Sequence, residues 1–221
     1  AIGAIVASAV GDAIGAPYEF KPPISATTPV EIKGGGSFGW APGEWTDDTS
    51  MAIPVLQALA RGKSLADEAT QDEIVASWQQ WATTAKDVGV QTRAALVGLK
   101  APTAASARDS AAAIHRLTGR NGGNGSLMRT APVALSALES REQTATNARS
   151  ISRLTHLDDD AGDACVLWSD AIRTAILTGD CEIRAALEMI PETRRDVWLE
   201  RIEAAEKFGT KAADIVGCGD H

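Results

Sequence analysis

The sequence predicts an all-α domain, a bundle of helices, and three observations predict it. Alanine is abundant while aromatic residues make up only 5 %, which suits helices packed closely through small side chains. Apolar residues recur at three- and four-residue steps, the spacing of one helix face. Runs with the period-two alternation of a half-buried strand are scarce. At 221 residues, 44 % hydrophobic and 23 % charged, the chain has the size and composition of one globular domain and not of a disordered or collagen-like one. No internal repeat or interdomain linker is visible, so residues 1–221 read as a single domain.

Each element follows from local pattern. Ile2, Ile5, Val6, Ala9, Val10, Ala13 and Ile14 form one helical stripe, which Pro17 ends. Gly3, Gly11 and Gly15 lower helix propensity and are tolerable where another backbone packs close. Residues 21–45 hold Pro22, Pro23, Pro29, Pro42 and the run Gly34-Gly35-Gly36, the longest irregular stretch. A loop of that length in a compact domain is usually functional or disordered. Helices are predicted at 49–61 (Met51, Ile53, Val55, Leu56, Leu59) and 70–84 (Ile74, Val75, Trp78, Trp81, Ala82), with shorter ones near 90–99 and 106–117. Beyond a glycine-rich loop at 119–125, an apolar helix is predicted through Val133, Leu135 and Leu138, with Pro132 at its first turn or at a kink. Residues 144–155, 160–178, 181–189 and 193–208 complete the helices, and the short connections suit a bundle. Trp78 and Trp81 read as core or interface, Arg194-Arg195 as a solvated face, and Cys218-Gly219-Asp220-His221 as a frayed end.

Charge and cysteine usage exclude several classes. The 21 basic and 29 acidic residues leave a net charge of −8, which argues against nucleic-acid and membrane-surface partners. No stretch approaches the roughly eighteen apolar residues of a membrane span, and no basic segment with a cleavage site opens the chain. Cys165, Cys181 and Cys218 are too widely spaced for a disulfide framework or a zinc site, so a reducing cytoplasm is expected. Asn124-Gly125-Ser126 has the form of a glycosylation sequon and is discounted without a secretion signal. The first residue is not Met, and both ends read as edges of a fragment.

Four constellations could carry chemistry. In Gly43-Glu44-Trp45-Thr46-Asp47-Asp48-Thr49, two adjacent acids flanked by hydroxyls open a helix. Capping needs one such residue, whereas a hard cation such as Mg²⁺ wants several oxygen ligands, so the pattern leaves both readings open. The loop Gly119-Arg120-Asn121-Gly122-Gly123-Asn124-Gly125-Ser126, leading into the expected helix, offers N–H groups to an anion or is a plain turn. It is neither a P-loop nor a dinucleotide fingerprint. In Thr155-His156-Leu157-Asp158-Asp159-Asp160 the acids cap and solvate a helix start, and His156 is a structural hydrogen-bonder or a functional group. Asp12 lies in an apolar helix and Glu19 just past it, either solvated or aimed into a cleft.

Together these motifs resemble the ADP-ribosylglycohydrolase family, including its dinitrogenase reductase-activating type. Gly11-Asp12-Ala-Ile-Gly15-Ala-Pro-x-Glu19-Phe is similar to the family's opening helix and loop glutamate. Trp45-Thr46-Asp47-Asp48-Thr49-x-Met51-Ala52 is similar to its first metal motif. Asn124-Gly125-Ser126-Leu-Met128-Arg129-x-Ala-Pro132 is similar to its glycine loop, and Thr155-His156-x-Asp158 to its histidine motif. The resemblance implies a compact orthogonal helical bundle with a dinuclear Mg²⁺ centre in a cleft. It implies hydrolysis of the bond between C1″ of ADP-ribose and a modified acceptor, a protein side chain or another group. Carried over by position, Thr46, Asp47 and Asp48 are metal ligands, and Glu19, Asp47 and Asp48 the catalytic carboxylates. Asn121, Gly122, Gly123, Asn124, Gly125, Ser126 and Met128 line the diphosphate and distal ribose, and His156 contacts the ribose side.

One departure stands out. The family's C-terminal Asp-x-Asp-Thr/Ser motif, which completes the metal centre, is absent after residue 160, where Asp170, Asp180, Asp196, Asp214 and Asp220 stand singly. The expectation is therefore the N-terminal two thirds to three quarters of a family domain. The remaining ligands would come from a missing C-terminal segment, which could also act as a separate fragment of the same protein. The alternative is a catalytically inactive ADP-ribose-binding or structural relative.

Overall fold

The computed structural model describes residues 1–22, 24–25, 27–119, 122–207 and 209–210. Among these, eight α-helices form and no strand. They are α1 (Ile2–Gly15), α2 (Asp47–Ala60), α3 (Glu68–Ala82), α4 (Val90–Leu96), α5 (Ala104–Thr118), α6 (Arg141–Ser152), α7 (Asp159–Thr178) and α8 (Glu192–Glu206). The all-α expectation holds.

Most helix starts are written locally. Thr103 caps α5 by accepting from the Ser106 N–H, Ser140 caps α6 through Gln143, and Asp158 caps α7 through Asp160. Gly119 and Gly179 end α5 and α7 at φ of 67° and 92°, left-handed values that suit glycine. The start of α2 differs: Thr46 makes no cap bond with its own helix, and the cap arrives from α1.

The core lies where α2, α3, α6 and α7 converge. Met51, Val55, Ile74, Val75, Trp78, Ala148, Ile151 and Cys165 are all buried there. Alanines at 104, 107 and 148 let the helix axes approach closely. Trp78 donates its indole N–H to the Met51 carbonyl at 2.8 Å, so the largest core side chain leaves no polar atom unpaired. Trp81 packs against the same cluster from its edge.

Three readings are corrected. The expected helix after the glycine loop is absent as an α-helix. Two short 3₁₀ helices, Asn124–Ser126 and Ala131–Leu135, take its place, with Pro132 in the first turn of the second. Residues 181–189 likewise contain only a 3₁₀ helix at Ala185–Met189. Arg194 is not on a solvated face: it pairs with Asp163, which is fully buried, and with Asp160. Arg149 of α6 and the Trp198 indole N–H also bind Asp163, and Arg201 binds Asp160. This network holds α8, which buries no residue completely, against α6 and α7.

Residues 21–45 are irregular but tied down. Gly35 and Trp40 exchange two backbone hydrogen bonds at 2.8 Å. Phe20 meets Phe38 edge-to-face, and Phe38 meets Trp40 at a tilt, each pair with ring centres 5.8 Å apart. Gly36, at φ 76°, lies against the chain just after α1, where a Cβ would meet Pro17 Cα at 2.9 Å. The chain leaving α1 is thereby held over the start of α2. Cys165 is buried, Cys181 is exposed, and both are unpaired.

Candidate active site

The site is built from the start of α2. Asp12 Oδ1 accepts from the Thr46 N–H at 3.0 Å and from its hydroxyl at 2.8 Å. Asp12 Oδ2 accepts from the Thr49 N–H at 3.0 Å and its hydroxyl at 2.6 Å. One carboxylate on α1 thus does for α2 what an N-cap side chain does. Asp12, whose orientation the sequence left open, is half-buried and lines an open hollow beside Glu19, Thr46 and Asp48.

Because Asp12 caps the helix, Asp47 and Asp48 need not. Asp47 is buried and accepts from the Gly89 N–H at 3.2 Å. Asp48 Oδ2 lies 3.2 Å from the Thr46 hydroxyl. Both acids line a crevice of about 160 Å³. Its other walls are Glu19, Phe20, Asp87, Gly89, Gln91, Thr92, Gly123, Asn124, Gly125, Met128 and His156. The crevice adjoins a more open hollow of about 360 Å³ through the shared Glu19 and Asp48. Phe20, at the rim, holds a φ of 58°, a strained value for a bulky residue.

Acids crowded together resist ionisation. Burial, followed by the charges of Asp87, Asp47, Asp48 and Asp12, pushes Glu19 up to about 7. Burial, then Asp12 and Asp47, pushes Asp48 up to about 7. Burial, then Asp47, lifts Asp87 to about 6. Asp47 is raised too, mainly by burial. Carboxyls that titrate near neutrality in a cleft are suited to giving and taking protons.

The structure brings most of the sequence-predicted residues together. Glu19, Asp47, Asp48, Gly123, Asn124, Gly125, Met128 and His156 face one space. Thr46 lines the adjoining hollow. Two residues sit elsewhere. Ser126 turns into the core, where its hydroxyl meets Ser152 at 2.9 Å and Cys165 at 3.4 Å. Gly122 packs against Asp158, whose Oδ1 would lie 3.6 Å from a Cβ there. Asn121 lies outside the described residues. Asp87, Gly89, Gln91 and Thr92 were missed. Their only signal is an acid and a glycine just ahead of a short helix, in Asp87-Val88-Gly89-x-x-Thr92.

His156 is neutral. Burial, helped by the nearby Arg129 charge, pushes it down to about 3. Its Nδ1 lies 2.7 Å from the Thr155 hydroxyl. Arg129, fully buried, donates to Thr155 Oγ1 at 2.8 Å and to the Ile151 carbonyl at 3.1 Å, and lies 4.1 Å from the Trp78 ring centre. A larger hollow of about 640 Å³ lies away from all of these, between α5, α6, α7 and the 185–189 turn. Of the three arginines that line it, Arg108 and Arg149 are engaged by Glu68 and Asp163, and Glu142 and Glu188 share the lining with Arg153.

Oxygen donors dominate the acid end of the crevice. Two carboxylates and a hydroxyl, at Asp47, Asp48 and Thr46, fit a hard cation, whose charge would relieve their crowding. Among the described residues, however, no group of three or more His, Cys, Asp or Glu side chains forms a complete ligand set. The described helices include none long and apolar enough to cross a membrane.

Comparison with known proteins gives the family. A model of the ADP-ribosylglycohydrolase family matches residues 1–217. The chain is 31 % identical over 186 residues to the ADP-ribosylarginine hydrolase Tri1 of Pseudomonas putida, covering 81 % of this chain and 47 % of that protein. It is 32 % identical over 173 residues to the ADP-ribosyl-[dinitrogen reductase] glycohydrolase of Rhodospirillum rubrum, covering 75 % and 54 %. A solved structure described as an ADP-ribosylglycohydrolase-related protein complex superposes with a TM-score of 0.57 at 30 % identity, covering 85 % of this chain and 59 % of that one. The chain thus spans about half the length of the curated relatives it matches. The family model spans nearly the whole chain, and the chain belongs to the ADP-ribosylglycohydrolase family.

Proposed function

We propose that the crevice takes the ADP-ribose portion of a modified protein and that its acids hydrolyse the bond at C1″ of the ribose. One observation carries the reading: Asp47 and Asp48 face the same space as Gly123, Asn124 and Gly125, although more than seventy residues separate them. The relatives named as acting on ADP-ribosylarginine and on ADP-ribosylated dinitrogen reductase support it.

In this reading the glycine loop seats the ADP half. Binding energy from that remote part then holds the reacting carbon near the acids. Cleavage passes through an oxocarbenium-like transition state, which carboxylates at close range stabilise. Glu19, titrating near 7, is the group best matched to donate a proton to the departing acceptor or to take one from water. Thr46, Asp47 and Asp48 would hold Mg²⁺, which supplies Lewis-acid polarisation of ribose hydroxyls and a lowered water pKa. Any second ion would need further ligands, expected from a C-terminal segment bearing Asp-x-Asp-Thr.

The test is release of free ADP-ribose from ADP-ribosylated arginine. The chain would be assayed alone and with such a segment, in Mg²⁺ and in EDTA. Turnover that needs Mg²⁺ and is lost in Asp48→Asn supports the reading. Binding of ADP-ribose without turnover in either format points instead to an inactive relative. Neither binding nor turnover overturns it.

A further inference from the structure

The crevice holds a polar side chain that nothing among the described residues satisfies. Thr92 is 1 % exposed, and its hydroxyl has no hydrogen-bond partner. An unpaired buried hydroxyl is costly, so its retention calls for a partner that arrives. Thr92 lines the crevice, and so does His156. A Cβ on Gly125 would lie 3.1 Å from Thr92 Oγ1 and 3.2 Å from His156 Nε2. The two polar atoms therefore flank the same bare Cα. Gly125 is not among the positive-φ glycines, so its missing side chain serves close approach and not backbone strain.

The proton on His156 can be placed from its neighbours. A guanidinium only donates, so Thr155 Oγ1 accepts from Arg129 Nη2. If Nδ1–H also donated to that oxygen, the buried Thr155 hydroxyl proton would lack an acceptor. The arrangement that satisfies every group has Thr155 donating to Nδ1. The imidazole proton then sits on Nε2, facing Gly125.

From this we infer that Arg129 is a positioning residue. Acting through Thr155, it holds His156 as the Nε2–H tautomer, and that N–H and the Thr92 hydroxyl together grip one hydroxyl of a substrate ribose. The inference rests on the proposed function for the ribose. A ribose hydroxyl suits the pair better than a phosphate oxygen does. Both groups are neutral, and Asp47 Oδ2 lies as near to a Cβ position on Gly89 as Thr92 Oγ1 does, at 3.8 Å. An anion there would meet a carboxylate, whereas a hydroxyl can accept from Nε2–H and donate to Thr92.

Two measurements on the full chain separate the parts. In long-range ¹H–¹⁵N spectra of ¹⁵N-histidine-labelled protein, His156 should carry its proton on Nε2. Thr155→Val should lose that preference, and Thr155→Ser should restore it. A parent His156 protonated on Nδ1 overturns the relay. Calorimetric titration should show ADP-ribose binding weakened roughly tenfold in Thr92→Val, with a melting temperature no lower than the parent's, since the hydroxyl has no internal partner. Parallel titrations with ADP and inorganic pyrophosphate identify the atom gripped. Loss for ADP-ribose alone assigns the terminal ribose, and equal loss for ADP the nucleoside ribose. An equal loss for pyrophosphate, or unchanged ADP-ribose affinity, overturns the ribose assignment. A parent chain that does not bind ADP-ribose overturns the proposed function and this assignment with it, while the spectra still judge the relay.

Discussion

His156 and Gly125 show how much a single residue can be asked to do. His156 is held neutral by burial and by Arg129, with a folded-state value of about 3 against 6.5 for an ordinary histidine. Between those values the unfolded chain binds the extra proton, so this residue's contribution to stability is complete above about 6.5 and is lost as pH falls. The slope for one proton is about 1.4 kcal/mol per pH unit. We expect urea titrations of parent and His156→Gln to diverge by about that amount per unit between pH 6 and pH 4, the parent losing more. Parallel curves would mean that the ring is not the buried neutral group described. At Gly125 the constraint is space. A Cβ would lie 3.0 Å from His156 Cε1 and 3.1 Å from Thr92 Oγ1, both on rigidly packed side chains. Gly125→Ala should therefore displace the ring or the loop and weaken ADP-ribose binding by roughly tenfold or more. Unchanged affinity in a calorimetric titration would show that the crevice has room to spare.

At the scale of elements, helices hold one another in place through charged and polar side chains as well as through apolar faces. Asp12 of α1 supplies the cap that α2 lacks. Asp12→Ala should cost about 1–2 kcal/mol, the range of a lost N-cap, and should also release Thr46 and Thr49 from their present positions. Urea unfolding measures the first effect, and the second should appear as weaker Mg²⁺ binding. Thr103→Ala at α5 should show the stability loss without the effect on Mg²⁺. At the other end, Asp163 is a buried carboxylate shared by Arg149, Arg194 and the Trp198 indole. Removing it in Asp163→Ala leaves cations without their partner and should cost about 3 kcal/mol or more, with faster proteolysis in α8. Arg201→Ala, a half-exposed contact to Asp160 at 3.0 Å, should cost under about 1 kcal/mol. These cases mark what the sequence could reveal. Apolar periodicity found every long helix, because 3.6-residue spacing is a local property. It placed the start of α2 at 49 and not Asp47, since the cap is 37 residues away from Thr49 in the chain. It read Arg194 as solvated for the same reason: its partner Asp163 lies in another helix. It also overextended helix past Pro132, where two short 3₁₀ helices satisfy the chain instead.

For the molecule as a whole, the site is a product of folding. The acid pair and the glycine loop each had a local signature, so their residues were legible. Asp87 and Thr92 had only an acid and a glycine ahead of a short helix to mark them, because a lone acid and a lone threonine acquire meaning only from what surrounds them. What surrounds them is negative charge, and this has a consequence for the entire fold. Glu19 and Asp48 are raised to about 7, and Asp87 to about 6, in the folded chain. The folded state therefore holds protons that the unfolded state gives up between about pH 4 and 7. Stability from these groups is present below that window and is lost as pH rises through it, the reverse of the His156 effect. Glu19 and Asp87 are only partly buried, so water screens much of their share, and Asp48 carries most of a total on the order of a few kcal/mol. A divalent cation bound among these oxygens would favour the ionised carboxylates and bind only the folded chain, stabilising it increasingly with concentration. Melting curves from pH 5 to 8 in EDTA should thus show stability falling as pH rises from 6 to 8, and Mg²⁺ should flatten or reverse that fall. Asp48→Asn should be more stable than the parent at pH 8 in EDTA and should respond least to Mg²⁺. If the parent melts at one temperature from pH 6 to 8 and Mg²⁺ leaves it unmoved, the acids are not the crowded, cation-seeking group that their geometry describes.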